Sequence, residues 1–138
     1  MQSVGVLVVD DNEWIGEAVE RSVRRCPDLR WTGWVATTRD LPALVRERAA
    51  DVVLMDLDIP GEDWFAAIRA LTRECPRTRS IILSGYLRAD LIDRGLEAGA
   101  WGYVSKNEDL NEVIDAIRTV VAGEVAMSSA VAAEFQRR

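Results

Sequence analysis

Five short hydrophobic runs recur along the chain, and each is followed by a segment with helical periodicity. The runs cover residues 4–9, 29–37, 52–55, 80–83 and 101–105. Apolar runs of this length that are rich in β-branched residues and end at turn formers are typical of strands buried on both faces. The run at 29–37 is the most polar of the five, as expected for a strand at the edge of a sheet.

The segments between these runs carry apolar residues at the spacing of one helix face. We expect helices over residues 13–26, 40–49, 63–75, 89–98 and 110–122. Asp11 or Asn12 would cap the first helix, and Asp40 would cap the second, where Pro42 is tolerated in the first turn. Gly99 and Gly123 would end the last two helices.

Strands that alternate with helices predict an α/β fold, a doubly wound parallel sheet of five strands with right-handed crossovers. Residues 1–124 form one predicted domain. Residues 125–138 are expected to be a C-terminal tail or the start of a linker, with one further weak helix from residue 127 onward.

Composition narrows the possible functions. The 138 residues carry a formal net charge of −6, which argues against a nucleic-acid-binding surface on this chain. No apolar run approaches 18 residues and no leader pattern is present, so we expect a cytoplasmic protein without membrane contact. Cys26 and Cys75 are expected to be unpaired thiols. The chain has no histidine, which removes histidine general bases and Ser-His or Cys-His nucleophiles.

Polar residues follow four of the five predicted strands. Asp10 and Asp11 follow the first, Asp56 the third, Ser84 the fourth and Lys106 the fifth. Each has an ordinary explanation, because aspartates cap helices, Ser84 precedes a glycine in a turn and lysine is a common surface charge. Their shared position at carboxyl ends of parallel strands, where ligands bind in open α/β sheets, favours a functional site instead.

The residue types indicate phosphoryl transfer. Three clustered carboxylates repel one another and need a cation, and hard oxygen ligands select Mg²⁺. Phosphoryl transfer uses a divalent ion beside a carboxylate nucleophile, together with a lysine and a hydroxyl that bind the phosphoryl oxygens. Asp56 is the predicted nucleophile, forming an acyl phosphate.

From residue 4 to residue 123 the chain resembles the receiver domain of two-component response regulators. The resemblance implies a flavodoxin-like (βα)5 fold with strand order 2-1-3-4-5. It implies that Asp56 accepts a phosphoryl group from a phosphohistidine of a sensor histidine kinase. The implied Mg²⁺ ligands are Asp10, Asp11, Asp56 and the backbone carbonyl of Asp58. Ser84 would bind a phosphoryl oxygen, Lys106 would pair with it, and Ser84 and Tyr103 would form the switch.

The stretch 97–123 is similar to the LuxR/NarL-type subfamily, whose members carry a C-terminal DNA-binding domain and control transcription. The sequence contains no such domain, so we expect a receiver separated from a longer regulator, with a stand-alone receiver as the alternative. The resemblance also implies a possible homodimer on phosphorylation. Such a domain is a phosphoacceptor rather than a turnover enzyme, although it assists its own Mg²⁺-dependent phosphorylation and dephosphorylation.

A second function class remains open from the residues. Asp56-Leu57-Asp58 also matches the Asp-x-Asp motif of haloacid-dehalogenase-like phosphatases, in which the first carboxylate is a nucleophile and the second a general acid-base. That motif is expected on the first strand, and the chain leaves no room for a cap. A degenerate receiver that only binds partners is disfavoured because all the implied site residues are present.

Overall fold

The computed structural model describes residues 3–137, which form six strands that alternate with six helices. The strands are β1 (Val4–Val9), β2 (Leu29–Val35), β3 (Val52–Asp56), β4 (Arg79–Ser84), β5 (Gly102–Ser105) and β6 (Ala126–Met127). The helices are α1 (Glu13–Arg24), α2 (Leu41–Arg48), α3 (Trp64–Glu74), α4 (Ala89–Ala98), α5 (Leu110–Val121) and α6 (Ser129–Gln136).

The strands form one parallel sheet with the order β2-β1-β3-β4-β5-β6. The predicted doubly wound α/β fold and the order of its first five strands are confirmed. The predicted number of strands is one too low, because β6 also pairs in parallel with β5, with Gly102 opposite Ala126. A strand of two residues is too short to show a hydrophobic period, so the sequence pattern carried no signal for it.

Two hydrophobic layers cover the sheet. Helices α1 and α5 pack on one face, where Val19, Val23, Val113 and Ile117 meet the strands. Helices α2, α3, α4 and α6 pack on the other face, together with the buried side chain of Tyr103. Since both faces are covered, the central strands are mostly apolar, and their charged residues, Arg79 and Asp56, lie at strand ends.

The segment after residue 124 adds to the same core. Ala126 N–H donates to the Trp101 carbonyl at 2.9 Å, and Ser128 N–H donates to the Tyr103 carbonyl at 3.2 Å. The α6 residue Val131 is fully buried on the face that also holds α4. The further helix expected in this segment is therefore present, and it packs against the sheet.

The helix ends follow the predicted capping residues with one exception. Asn12 accepts the Trp14 N–H at 3.0 Å, and Gly99 ends α4 with a φ of 111°. Asp40 occupies the cap position of α2, but its backbone is left-handed and its side chain makes no capping hydrogen bond. The prediction that Asp40 caps α2 with its carboxylate is therefore wrong. Cys26 and Cys75 are both free thiols, as expected. Over residues 3–137, no helix combines the length and apolar character needed to span a membrane.

Candidate functional site

The carboxyl edge of the sheet brings together the side chains that the sequence placed after four strands. Asp10 directly follows β1, Asp56 ends β3, Ser84 ends β4 and Lys106 directly follows β5. Asp56 lies opposite Leu83 and Ser84 lies opposite Ser105 in the strand register, so the strands end at nearly the same level. The parallel topology therefore produces the cluster directly.

Three carboxylates form the acidic part of the site. Asp10, Asp11 and Asp56 each offer an oxygen within 4.8 Å of the others. Asp10 and Asp56 are 1% and 3% exposed, whereas Asp11 is exposed to solvent. The cluster is therefore buried at Asp10 and Asp56 and open to solvent at Asp11.

Lys106 bridges the two buried carboxylates. Its Nζ lies 2.8 Å from Asp10 Oδ2 and 3.0 Å from Asp56 Oδ1, and its backbone N–H donates to the Ser84 carbonyl at 2.8 Å. Lys106 is the only lysine in the sequence, and all other basic residues are arginines. A compact ammonium on a flexible stem can sit between two carboxylates in a way that a planar guanidinium cannot.

Burial and pairing oppose each other in this cluster. Burial raises the pKa of Asp10, and the hydrogen bonds from Lys106 and from the Asn12 N–H only partly offset that effect. Burial lowers the pKa of Lys106, but hydrogen bonds to Asp10 and Asp56 outweigh it, so the pKa of Lys106 is raised overall. The ammonium is therefore held in its charged form by the carboxylates it neutralises.

The site fits a divalent cation with oxygen ligands. Three carboxylates against one ammonium leave an excess of two negative charges. Apart from the Lys106 ion pair, no hydrogen bond reaches the buried Asp10 Oδ2 among the described residues. Mg²⁺ matches this donor set in both charge and ligand type.

Asp58 does not bring its carboxylate into the cluster. Its side chain is exposed, and its backbone N–H donates to Asp56 Oδ1 at 3.1 Å. The backbone of Asp58, and not its carboxylate, therefore lies next to Asp56. Its role as a metal ligand through the carbonyl stays a prediction.

The two predicted switch residues meet at the backbone of Tyr86. Ser84 Oγ accepts the Tyr86 N–H at 3.0 Å, and the Tyr103 hydroxyl donates to the Tyr86 carbonyl at 3.0 Å. Tyr103 is fully buried, and burial raises the pKa of its hydroxyl, which keeps it protonated as a donor. Ser84 and Tyr103 are thus linked through one residue, while their roles in switching remain predictions.

The site also contains residues that sequence reasoning missed. The Trp34 indole N–H donates to the Asp10 carbonyl at 2.7 Å, and the Asn12 N–H donates to Asp10 Oδ1 at 2.8 Å. Gly16 makes room for Trp34, since a Cβ there would lie 2.6 Å from the ring. Trp34 lies on the edge strand 24 residues from Asp10, and no local pattern announces such a contact.

Comparison with known proteins supports one family. The model of the response regulator receiver domain matches residues 6–118. Response regulator UvrY of Escherichia coli strain K12 is 31% identical over 96% of this chain and 61% of its own length. Transcriptional regulatory protein LiaR of Bacillus subtilis strain 168 is 30% identical over 98% of this chain and 64% of its own length. The chain therefore spans about three fifths of the length of these curated relatives.

A solved structure agrees along almost the whole chain. The LuxR-family two-component response regulator from Aurantimonas sp. SI85-9A1 has a TM-score of 0.91 and 30% sequence identity, and the match covers 99% of this chain and 97% of that one. The alternative of a haloacid-dehalogenase-like phosphatase is not supported, since Asp56 ends the third strand and the exposed Asp58 carboxylate stays outside the cluster. The chain belongs to the response regulator receiver domains, and within them to the LuxR/NarL type.

Proposed function

We propose that Asp56 accepts a phosphoryl group from the phosphohistidine of a sensor histidine kinase. One observation carries the proposal: the buried Asp56 shares the only lysine of the chain with a second buried carboxylate at the ligand-binding edge of the sheet. These 138 residues contain no histidine, so the phosphohistidine donor lies outside them.

The transfer is a nucleophilic displacement at phosphorus. Lys106 Nζ lies 3.0 Å from Asp56 Oδ1, and the Asp58 N–H donates to the same oxygen at 3.1 Å. Oδ2 is the oxygen we assign as nucleophile. It forms the new O–P bond, the N–P bond of the phosphohistidine breaks, and its electron pair stays on the imidazole nitrogen.

The other site residues hold charge and position. Asp10, Asp11, Asp56 and the Asp58 carbonyl would hold Mg²⁺, which when bound supplies positive charge to the phosphoryl oxygens. Lys106 would exchange its contact with Asp56 Oδ1 for one with the phosphoryl group. Ser84 would turn its side chain to donate its hydroxyl to a phosphoryl oxygen, which would move its Oγ away from the Tyr86 N–H. Tyr103 would respond because its hydroxyl is bound to the carbonyl of that same residue.

The complete regulator is inferred from longer relatives. LiaR is named a transcriptional regulatory protein, and this chain matches 64% of its length. We therefore propose that this receiver acts in the cytoplasm and controls transcription through a DNA-binding part outside the sequence described, with homodimer formation on phosphorylation. In this role one phosphoryl group is transferred per receiver, and the chain is a signalling domain rather than a turnover enzyme.

Adding Mg²⁺ to the protein is expected to change its tryptophan fluorescence. The Trp34 indole donates to the Asp10 carbonyl, and the exposed Trp14 follows Asp11 by three residues, so each is positioned in the chain to respond to a change at the acidic cluster. A titration of the parent, Trp34→Phe and Trp14→Phe checks this. Trp101→Phe is the control, because Trp101 lies at the amino-terminal end of β5, whereas the site lies at the carboxyl ends of the strands. A parent signal that does not respond to Mg²⁺ at millimolar concentration would argue against the metal site.

A further inference from the structure

A side-chain link between two loops at the mouth of the site has no part in the chemistry above. Glu62 lies in the loop between β3 and α3, and Thr38 lies in the loop between β2 and α2. Glu62 Oε1 accepts the Thr38 backbone N–H at 2.9 Å, and Glu62 Oε2 accepts the Thr38 hydroxyl at 3.0 Å. Both oxygens of one carboxylate thus bind a single residue 24 positions away in the sequence.

We propose that Glu62 is a positioning residue for the metal site. By binding Thr38 it holds the β3–α3 loop so that the Asp58 carbonyl and the Asp56 carboxylate face Asp10 and Asp11. The proposal rests on the proposed function, because it assigns Glu62 to the same Mg²⁺ site.

The link attaches one side of the turn in the β3–α3 loop, where the Glu62 N–H also donates to the Ile59 carbonyl at 3.1 Å. The loop begins where the Asp58 N–H binds Asp56 Oδ1, and it turns at Gly61, whose φ is 77°. Pro60 and Gly61 are exposed, so Ile59, which is 7% exposed, is the part of the turn that packs into the core. The bonds from Glu62 to Thr38 fix the other side of this turn, just before α3 begins.

The other end of the link leads back to Asp10. The Thr38 carbonyl accepts the N–H of Leu41, which is buried, so the Thr38 loop is itself anchored. Three residues earlier, the Val35 carbonyl accepts the Asp10 N–H at 3.0 Å. Glu62 therefore connects the loop that follows Asp56 and carries Asp58 to the end of β2, where the Val35 carbonyl binds the Asp10 N–H. The link thus connects the part of the site formed by Asp56 and Asp58 to the part formed by Asp10.

Four substitutions distinguish an effect of the hydrogen bonds between Glu62 and Thr38 from an effect of the negative charge of Glu62. Glu62→Ala and Thr38→Val remove hydrogen bonds, whereas Thr38→Ser keeps both of them. Glu62→Gln removes the charge but keeps an acceptor for the Thr38 N–H and a donor for its hydroxyl oxygen. Glu47→Ala is the matched control, because it removes the same charge from an exposed position on α2.

The first measurement is the Mg²⁺ dissociation constant, obtained by tryptophan fluorescence or by calorimetry. We expect binding to weaken roughly tenfold in Glu62→Ala and about threefold in Thr38→Val, from the usual strength of charge-assisted hydrogen bonds. Thr38→Ser, Glu62→Gln and Glu47→Ala should stay within about twofold of the parent, since each keeps the link.

The second measurement uses the metal-free protein. Hydrogen exchange of the Thr38 amide reports the bond to Glu62 Oε1 directly, and it should accelerate in Glu62→Ala but not in Thr38→Ser. Thermal unfolding of each variant shows whether the whole fold is intact. If Glu62→Ala does not fold, the comparison of Thr38→Val with Thr38→Ser tests the same link.

Two results would overturn the proposal. One is parent-like Mg²⁺ affinity in a folded Glu62→Ala whose Thr38 amide has lost its protection. The other is equal weakening in Glu62→Gln and Glu62→Ala, which would mean that Glu62 acts through its charge. If the parent itself does not bind Mg²⁺, the proposed function fails instead, and the Thr38 exchange data still report on the link.

Discussion

Lys106→Ala is expected to lower the free energy of unfolding of the metal-free protein at pH 7 by about 3–5 kcal/mol. The substitution leaves Asp10 and Asp56 buried without their ammonium, and a buried charge without a partner is among the most destabilising changes a fold can suffer. Chemical denaturation of the parent and the variant in the absence of metal measures the effect.

The pH dependence should identify the carboxylates as the cause. The pKa of Asp10 is already raised above its unfolded value of 3.8, so its ionised form costs stability above the folded pKa, and that cost is relieved as the pH falls. Removing Lys106 raises this pKa further, so the deficit of the variant should shrink from neutral towards acidic pH. The parent should lose the contribution of Lys106 only above pH 10.5, because the pKa of that lysine is raised.

Further variants and Mg²⁺ provide the controls for Lys106. Mg²⁺ should restore stability to Lys106→Ala, and Lys106→Arg should recover part of it because the charge is kept. Lys106→Ala should still accept a phosphoryl group on Asp56, while the chemical shifts of α4 and Tyr103 stay at their resting values. The role of Lys106 would be contradicted if Lys106→Ala were as stable as the parent at pH 7. It would also be contradicted if phosphorylation changed the chemical shifts of α4 and Tyr103 in the variant as it does in the parent.

Tyr86→Ala is expected to accelerate loss of the phosphoryl group several-fold. Hydrolysis requires a water in line with the bond from Asp56 to phosphorus, so a side chain that excludes this water removes the reaction geometry. Tyr86 is held at its backbone by Ser84 and Tyr103, and the residue is 54% exposed at the mouth of the site. With Asp58 and Trp64 it lines a cavity of about 290 Å³. The decay rate of the phosphorylated protein is the measurement.

Tyr86→Phe is the matched control, because it keeps the ring and removes only the hydroxyl. It should decay at the parent rate, and Asp58→Asn should show whether the exposed carboxylate on the same cavity also affects the water. If Tyr86→Ala decays at the parent rate or more slowly, the ring does not shield the phosphoryl group.

Most of the fold could be predicted because each element carries its own periodic signal. Buried runs such as Val52–Asp56 and the strongly amphipathic helix α5 are long enough for the pattern to be unambiguous. The pattern failed where an element depends on tertiary contacts. Strand β6 has two residues and exists because β5 offers it a free edge, and Asp40 adopts a left-handed backbone that its residue type does not require.

The site divides in the same way. Asp10, Asp56, Ser84 and Lys106 could be placed at one edge because the topology sends the ends of all parallel strands there. Side-chain contacts between segments far apart in sequence could not be predicted, since their geometry depends on the tertiary fold. The bonds of Glu62 to Thr38 and of Trp34 to Asp10 are of this kind.

Phosphorylation of Asp56 is the central claim, and intact mass spectrometry tests it most directly. The protein is incubated with acetyl phosphate or carbamoyl phosphate, with Mg²⁺ and with Mg²⁺ removed by a chelator. We expect the mass of one added phosphoryl group in the parent, only when Mg²⁺ is present, and none in Asp56→Asn. A phosphoryl group that persists in Asp56→Asn, or a parent that hydrolyses the donor continuously and never carries the added mass, would contradict it.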